Sequence, residues 1–186
     1  MLVSFILIAI AASLVYCSTA NKSTPTALTA CAFHPDGHLF AAGTDRGDIK
    51  LFMTKTGEEA AAFSLGAPIQ SIVFSENGFW FAATAKGQTT VTIFDLRKQG
   101  DAAQAKVLDI GSAVQLLAWD YSQQFLATAG PAGVTVQQYN KGSKSWSEPL
   151  RAAVNNAVNV AWGTNAHKLL VLNGEGVINV LGPKES

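Results

Sequence analysis

The chain has 186 residues, a formal net charge of zero and only 14% charged residues. Thirteen acidic side chains balance thirteen basic ones, so no excess of positive charge is available to neutralise phosphates. This balance argues against direct nucleic-acid binding as the main role. Apolar residues make up 48% of the chain, which argues against intrinsic disorder. Two cysteines, Cys17 and Cys31, are too few for a disulfide framework.

The composition divides the chain into an apolar segment, residues 1–24, and a second region, residues 25–186. Residues 2–17 carry no charge, and the small residues that follow resemble a signal-peptidase site, although no basic residue precedes the apolar run. Three interpretations stay open: a secretory signal or membrane anchor, a strand that closes the downstream fold, or sequence foreign to that fold from a mis-joined gene. A membrane partner is expected only if residues 2–17 form a genuine anchor.

An aromatic residue returns at the end of an apolar run four times after residue 25. The intervals are 41, 45 and 43 residues, between Phe33, Phe74, Trp119 and Trp162. A period in the low forties is typical of propeller blades made of four strands. The sequence therefore predicts an all-β fold, a partial WD-type β-propeller of about four blades, with the four aromatics in the core between blades.

Each aromatic is followed by a turn and a second apolar run, as in His34–Gly37 followed by LFAAGT. The small Ala and Gly residues of these runs are expected to let neighbouring blades approach closely. Outer, fourth strands are predicted at residues 58–65, 103–110 and 146–153. The last repeat stops after its third strand near Leu181, which predicts a final blade without its outer strand.

The repeats resemble degraded WD-type blades, and Phe94–Asp95 stands where a Trp-Asp pair normally ends the third strand. Sequences similar to the C-terminal propeller of the pre-mRNA-processing factor 19 family occur at Leu28–Gly37 (LTACAFHPDG), Ser71–Ala85 and Thr92–Lys98. The resemblance covers roughly residues 27–182. It implies a nuclear, spliceosome-associated interaction scaffold that acts in pre-mRNA splicing and, in full-length members, in protein ubiquitination.

The same resemblance implies that the partners are splicing-complex proteins and ubiquitination substrates. Members of that family carry a U-box with ubiquitin-ligase activity and a coiled coil that forms homotetramers, and these 186 residues contain neither. We therefore expect an N-terminally truncated propeller fragment. Any ligase activity is expected to belong to the parent family, since this chain offers no catalytic residues for it.

The residues that could act as metal ligands or bind a cofactor have simpler structural interpretations. Cys31, His34 and His38 flank a tight turn without an evident fourth ligand, so no metal site is predicted. The Gly174–Gly176 pattern precedes a strand rather than a helix, so no cofactor site is predicted. Basic side chains near the blade ends are interpreted as a solvated rim: Arg97, Lys98, Lys141, Lys144 and Arg151.

Two tryptophans, Trp80 and Trp146, fall outside the repeating core position and are candidate partner-binding anchors. Two alternatives to the nuclear scaffold stay open. One is a secreted or membrane-anchored β-repeat binding protein directed to the secretory pathway by residues 1–20. The other is an enzyme built on a propeller, which would need an activity that depends on His34, Asp36 or His38.

Overall fold

The computed structural model of the chain describes residues 26–164 and 168–182. The predicted segment of residues 1–24 lies outside the described residues. The described part contains sixteen strands, one short 3-10 turn at Gly100–Ala103 and no α-helix. This is the all-β composition that the repeats predict.

The first two sheets each have four antiparallel strands in chain order, as expected for propeller blades. The first sheet contains β1 (Leu28–Phe33), β2 (Leu39–Thr44), β3 (Asp48–Met53) and β4 (Glu59–Ser64). The second sheet contains β5 (Ile69–Phe74), β6 (Trp80–Ala85), β7 (Thr90–Asp95) and β8 (Gln104–Asp109). The predicted outer strands at residues 58–65 and 103–110 are therefore present, each one residue shorter at both ends.

The third and fourth sheets depart from four continuous strands. The third contains β9 (Leu116–Trp119), β10 (Phe125–Gly130), β11 (Gly133–Asn140), β12 (Ser145–Trp146) and β13 (Leu150–Ala152). The fourth contains β14 (Ala157–Trp162), β15 (Leu169–Asn173) and β16 (Ile178–Leu181), so its described part has three strands.

The predicted outer strand at residues 146–153 is divided into two pieces, which corrects the sequence prediction. Both β12 and β13 pair with β11, but Pro149 lies between them. Proline has no backbone N–H to donate and fixes its own φ, so it interrupts the ladder where a continuous fourth strand would run.

The first strands of the four sheets contact one another in succession, β1 with β5, β5 with β9, and β9 with β14. This arrangement makes them the inner strands of four blades fanned about an axis, with the later strands of each blade farther out. The partial WD-type β-propeller predicted from the repeats is confirmed.

Small residues on the second strands allow the close approach of neighbouring blades. A Cβ atom added to Gly43 on β2 would lie 2.6 Å from Cγ2 of Ile69 on β5. A Cβ atom added to Gly130 on β10 would lie 2.0 Å from the carbonyl oxygen of Ala113, in the segment that connects the second blade to β9. Packing at these two positions therefore requires glycine, as the bulky-then-small pattern of the second strands indicates.

The four repeating aromatics do not share one environment. Phe74 is buried, and Trp119 and Trp162 are partly buried against core clusters. Phe33 is 46% exposed, so its predicted place in the core is wrong. The reason is positional: the ring of His34 from the first blade covers Phe74, whereas no described blade covers the corresponding side of β1.

Candidate functional site

A cavity of about 560 Å³ opens between the second and third blades. Its walls come from the start of β6, the loop after β7, the start of β8, and the turn that joins β11 to β12. At this end of each blade, one connection joins the first strand to the second and another joins the third strand to the fourth. The lining residues include Asn77, Phe79, Trp80, Ile93, Asp95, Arg97, Lys98, Ala105, Lys106, Tyr139, Lys141, Lys144 and Trp146.

Both tryptophans that the sequence indicated as candidate anchors line this cavity. Trp80 is the first residue of β6, and Trp146 reaches the same place because β12 pairs with the end of β11. Trp119 lies between them, with ring centroids 6.2 Å from Trp80 and 5.6 Å from Trp146. The structure therefore brings together two residues that are 66 positions apart in the chain.

Tyr139, together with Trp80 and Trp146, forms the aromatic floor of the cavity. Its ring stands edge-on to Trp80 at 4.8 Å and lies 5.4 Å from Trp146. Tyr139 is not among the candidate site residues that the sequence indicates. The available signal was its position at the end of a third strand, which corresponds to that of Phe94–Asp95 one blade earlier.

Positive charge is concentrated around the aromatic floor. Five of the thirteen Lys and Arg residues of the chain line the cavity, and all five side chains are exposed. Four of them, Arg97, Lys98, Lys141 and Lys144, were interpreted from the sequence as parts of a solvated rim. The fifth, Lys106 on β8, was not singled out, because a lone lysine on an outer strand gives no local signal.

Among the described residues, Asp95 is the single carboxylate that lines the cavity, and it is already paired. The Arg97 guanidinium donates from Nε and Nη2 to its two oxygens, each at 2.8 Å. This bidentate pair holds the pKa of the Asp95 carboxyl below its ordinary value, with smaller lowering contributions from the Arg97 backbone N–H, the Arg97 charge and the Trp80 indole. Burial acts in the opposite direction. The same pair raises the pKa of Arg97.

The ion pair also positions the Arg97 side chain at the mouth of the cavity. Its guanidinium carbon lies 4.8 Å from the centre of the Phe79 ring, a cation–π contact. Asp95 is 6% exposed and Arg97 is 53% exposed, so the carboxylate is covered and the cation faces solvent. The lining of the cavity therefore presents cations to solvent, and Asp95 is neutralised by its pairing with Arg97.

The indole N–H groups of Trp80 and Trp119 are buried and make no hydrogen bond of standard geometry within the described chain. Trp80 and Asp95 are nonetheless neighbours, because they lie directly opposite each other in the ladder between β6 and β7. Trp162, at the position in the fourth repeat that matches Trp119, donates instead to the Ala118 carbonyl oxygen at 3.0 Å.

The remaining candidate residues do not line this cavity. His34 Nδ1 is 2.6 Å from Asp36 Oδ1, and His34 Nε2 is 2.9 Å from the Gly78 carbonyl oxygen, so both ring nitrogens have partners. Cys31 is an exposed residue of β1 whose thiol pKa is raised by the partial burial of the sulfur. Within residues 26–164 and 168–182, no three His, Cys, Asp or Glu side chains cluster as metal ligands would.

Arg151, the last of the predicted rim cations, serves to join blades. Its Nη2 donates to the Ile110 carbonyl oxygen at 2.7 Å, which ties the outer strand of the third blade to the loop after the second. Within the described ranges, no helix is long and apolar enough to cross a membrane.

Residues 10–77 match a family model described as the anaphase-promoting complex subunit 4 WD40 domain. Among solved structures, the β-propeller domain of Myceliophteria thermophila Cps50 (Swd1) aligns with a TM-score of 0.71 at 14% identity, over 89% of this chain and 55% of that one. This likeness concerns the fold, and it agrees with the radial arrangement of the four sheets.

Two curated relatives carry the same description. Pre-mRNA-processing factor 19 of Schizosaccharomyces pombe is 31% identical over 87% of this chain, and that of Dictyostelium discoideum is 27% identical over 86%. The chain spans 33% and 32% of their lengths, respectively. The similarity therefore concerns about a third of each relative, and it supports the resemblance drawn from Leu28–Gly37, Ser71–Ala85 and Thr92–Lys98.

Proposed function

We propose that this chain, a WD-repeat protein similar to pre-mRNA-processing factor 19, acts in pre-mRNA splicing by holding partner proteins of splicing complexes. The propeller and its similarity to these relatives support a role as a protein-interaction scaffold. Rigid antiparallel blades present short turns at two faces, and such turns are suited to recognise partners without covalent chemistry.

The single observation that carries the proposal is the sequence similarity, which extends over 87% of the chain with one of the named relatives. The ubiquitination of bound partners belongs to the same proposal, as an activity of a ligase with which the chain would work. The cavity between the second and third blades supports it as a docking position, because exposed cations surround an aromatic floor there.

Native co-precipitation tests the splicing role. The full chain, with an epitope tag after Ser186, is expressed in cells and precipitated under native conditions, and the spliceosomal small nuclear RNAs that accompany it are quantified. We expect enrichment over an unrelated tagged propeller expressed at the same level. Equal recovery of these RNAs with both proteins would reject the role in splicing.

Nuclear location forms part of the proposal, and residues 1–30 offer its sharpest test. A fluorescent reporter fused behind these residues is expected to stay inside the cell and outside the secretory pathway. Secretion or membrane insertion of the reporter would instead favour the alternative function, a secreted or anchored β-repeat binding protein. The uncharged run at residues 2–17 is the observation that keeps this alternative in view.

A further inference from the structure

We infer that the cavity between the second and third blades binds an acidic peptide segment of a partner protein, which inserts one bulky apolar side chain between its carboxylates. This inference rests on the proposed function and names the chemistry of the partner. Three features of the cavity support it: its floor, the charge of its rim, and the pairing of its lining carboxylate, Asp95, with Arg97.

The floor offers an apolar surface that is only partly covered. Trp80, Tyr139 and Trp146 are half-buried, and Ile93 lies beneath them as a fully buried residue. Half-buried tryptophan and tyrosine rings in a concave site are the residue types that most often dominate binding energy at protein interfaces. A volume of about 560 Å³ accommodates one large side chain together with its flanking backbone.

The rim supplies charge of one sign. Lys98 and Lys106 approach from the second blade, and Lys141 and Lys144 approach from the third. Within residues 26–164 and 168–182, no carboxylate forms an ion pair with these four ammonium groups, unlike Lys50 in the first blade, which donates to Glu59 at 2.8 Å. Since Asp95 is already neutralised by Arg97, the cavity presents a net positive potential in a chain whose total charge is zero.

The same residue types could favour single-stranded RNA, which stacks its bases on aromatic faces between basic side chains. The arrangement of the rings favours a peptide instead. Each of Trp80, Tyr139 and Trp146 contacts two other rings of the cluster, with planes inclined by between 39° and 89°. Such mutually inclined rings form a pocket for one side chain rather than a row of open faces for successive bases.

Fluorescence anisotropy with the full chain tests the inference. The probe is a fluorescein-labelled peptide in which one leucine stands between two pairs of glutamates. Matched peptides replace the glutamates by glutamines, or the leucine by glycine. We expect the first peptide to bind, with an affinity that falls as the salt concentration rises. Each matched peptide is expected to bind more weakly by a factor of about ten or more.

Charge reversal on the protein provides the second arm. Lys106→Glu and Lys141→Glu, combined, change one exposed cation from each blade that borders the cavity. Lys55→Glu and Lys168→Glu, combined, make the same change of charge at exposed positions that do not line it. We expect the first pair to weaken binding of the acidic peptide by about five- to tenfold, and the control pair to leave it within twofold.

Several results would overturn the inference. Equal binding of the glutamate and glutamine peptides would exclude charge recognition, and equal effects of the two variant pairs would place binding elsewhere. Absence of peptide binding would also reject the inference. So would tighter binding of a labelled oligouridylate than of the peptide, if the Lys106→Glu/Lys141→Glu chain no longer binds that oligouridylate.

The two proposals fail separately. If the tagged Lys106→Glu/Lys141→Glu chain recovers spliceosomal RNAs as well as the unchanged chain, the cavity is not the docking position, although the splicing role stands. If the unchanged chain recovers none but binds the acidic peptide through this cavity, the peptide site stands and the splicing role fails.

Discussion

Nε2 of His34 lies 2.9 Å from the carbonyl oxygen of Gly78, so a side chain of the first blade is bonded to the turn between β5 and β6 of the second. The other ring nitrogen lies 2.6 Å from Asp36 Oδ1. A hydrogen bond from the His38 backbone N–H, and then His34 itself, lower the pKa of the Asp36 carboxyl and favour its charged form. The imidazole thus joins two blades while a carboxylate fixes its orientation.

Substitution of Gly78 by alanine is expected to loosen this junction. Gly78 has φ +71°, and a Cβ atom there would lie 2.1 Å from His34 Nε2. We expect a loss of about 2 kcal/mol in the free energy of unfolding, from backbone strain together with displacement of the imidazole.

A double-mutant cycle measured by urea denaturation separates the two contributions. In a His34→Ala background the steric part vanishes, so Gly78→Ala should cost only about 1 kcal/mol, the backbone part. Additive effects of the two substitutions would show that His34 and Gly78 are not coupled.

Gly130→Ala is expected to disturb the junction between β10 and the segment before β9. A Cβ atom at this position would lie 2.0 Å from the Ala113 carbonyl oxygen, and a backbone atom can move only if the blade moves with it. We expect a destabilisation of about 2–3 kcal/mol or failure to fold.

Gly142→Ala is the matched control for Gly130→Ala. The nearest atom to a Cβ added at Gly142 is a side-chain oxygen of Asn140 at 3.3 Å, so this change should alter the free energy of unfolding by less than about 0.5 kcal/mol. Comparable melting temperatures for both variants would contradict the close approach described for β10.

Asp95 should make stability depend on acid pH. Because the pKa of its carboxyl is lowered in the folded chain, its contribution is complete above the ordinary value of 3.8 and is lost as pH falls through the lower folded-state value. Asp95→Asn should therefore cost about 1–2 kcal/mol at neutral pH, with a cost that shrinks in that acid range. Thermal melts of both proteins at a series of pH values measure this difference in stability. A difference that stays constant down to the lowest pH would contradict its origin in the ion pair.

The two equivalent tryptophans should respond differently to the loss of their indole N–H. Trp162→Phe removes a hydrogen bond to the Ala118 carbonyl, whereas Trp119→Phe removes a buried donor that has no partner in the described chain. We expect Trp162→Phe to be more destabilising than Trp119→Phe by about 1 kcal/mol. Equilibrium unfolding of both variants gives the comparison, and the reverse order would be inconsistent with these hydrogen-bond assignments.

The sequence predicted the blades because their determinants are local. Turn residues such as Gly37 and Gly78, alternating pairs such as Ile49 and Leu51, and the recurring aromatics each define a strand or its end without reference to distant residues. The split of the outer strand at Pro149 was also readable in principle, since proline interrupts a ladder wherever it falls. It was missed because the period of the repeats favoured a continuous fourth strand.

The composition of the cavity was only partly predictable, because it depends on which residues of two blades face each other. Trp80 and Trp146, which line the cavity, stand out in the sequence by their departure from the repeating core position. Tyr139 and Lys106 do not, since each looks ordinary within its own strand and acquires its place only when the two blades pack together. The exposure of Phe33 depends likewise on a neighbouring blade rather than on its own repeat.

Photo-cross-linking in living cells is the most direct test of the claim that a splicing partner docks between the second and third blades. A photoreactive amino acid replaces Lys98 at the rim of the cavity or, in the control chain, Lys55 on the first blade. Cross-linked proteins from both are identified. We predict cross-links to protein components of splicing complexes from position 98 that are missing from position 55. The same set of cross-links from both positions, or none to splicing proteins from position 98, would contradict it.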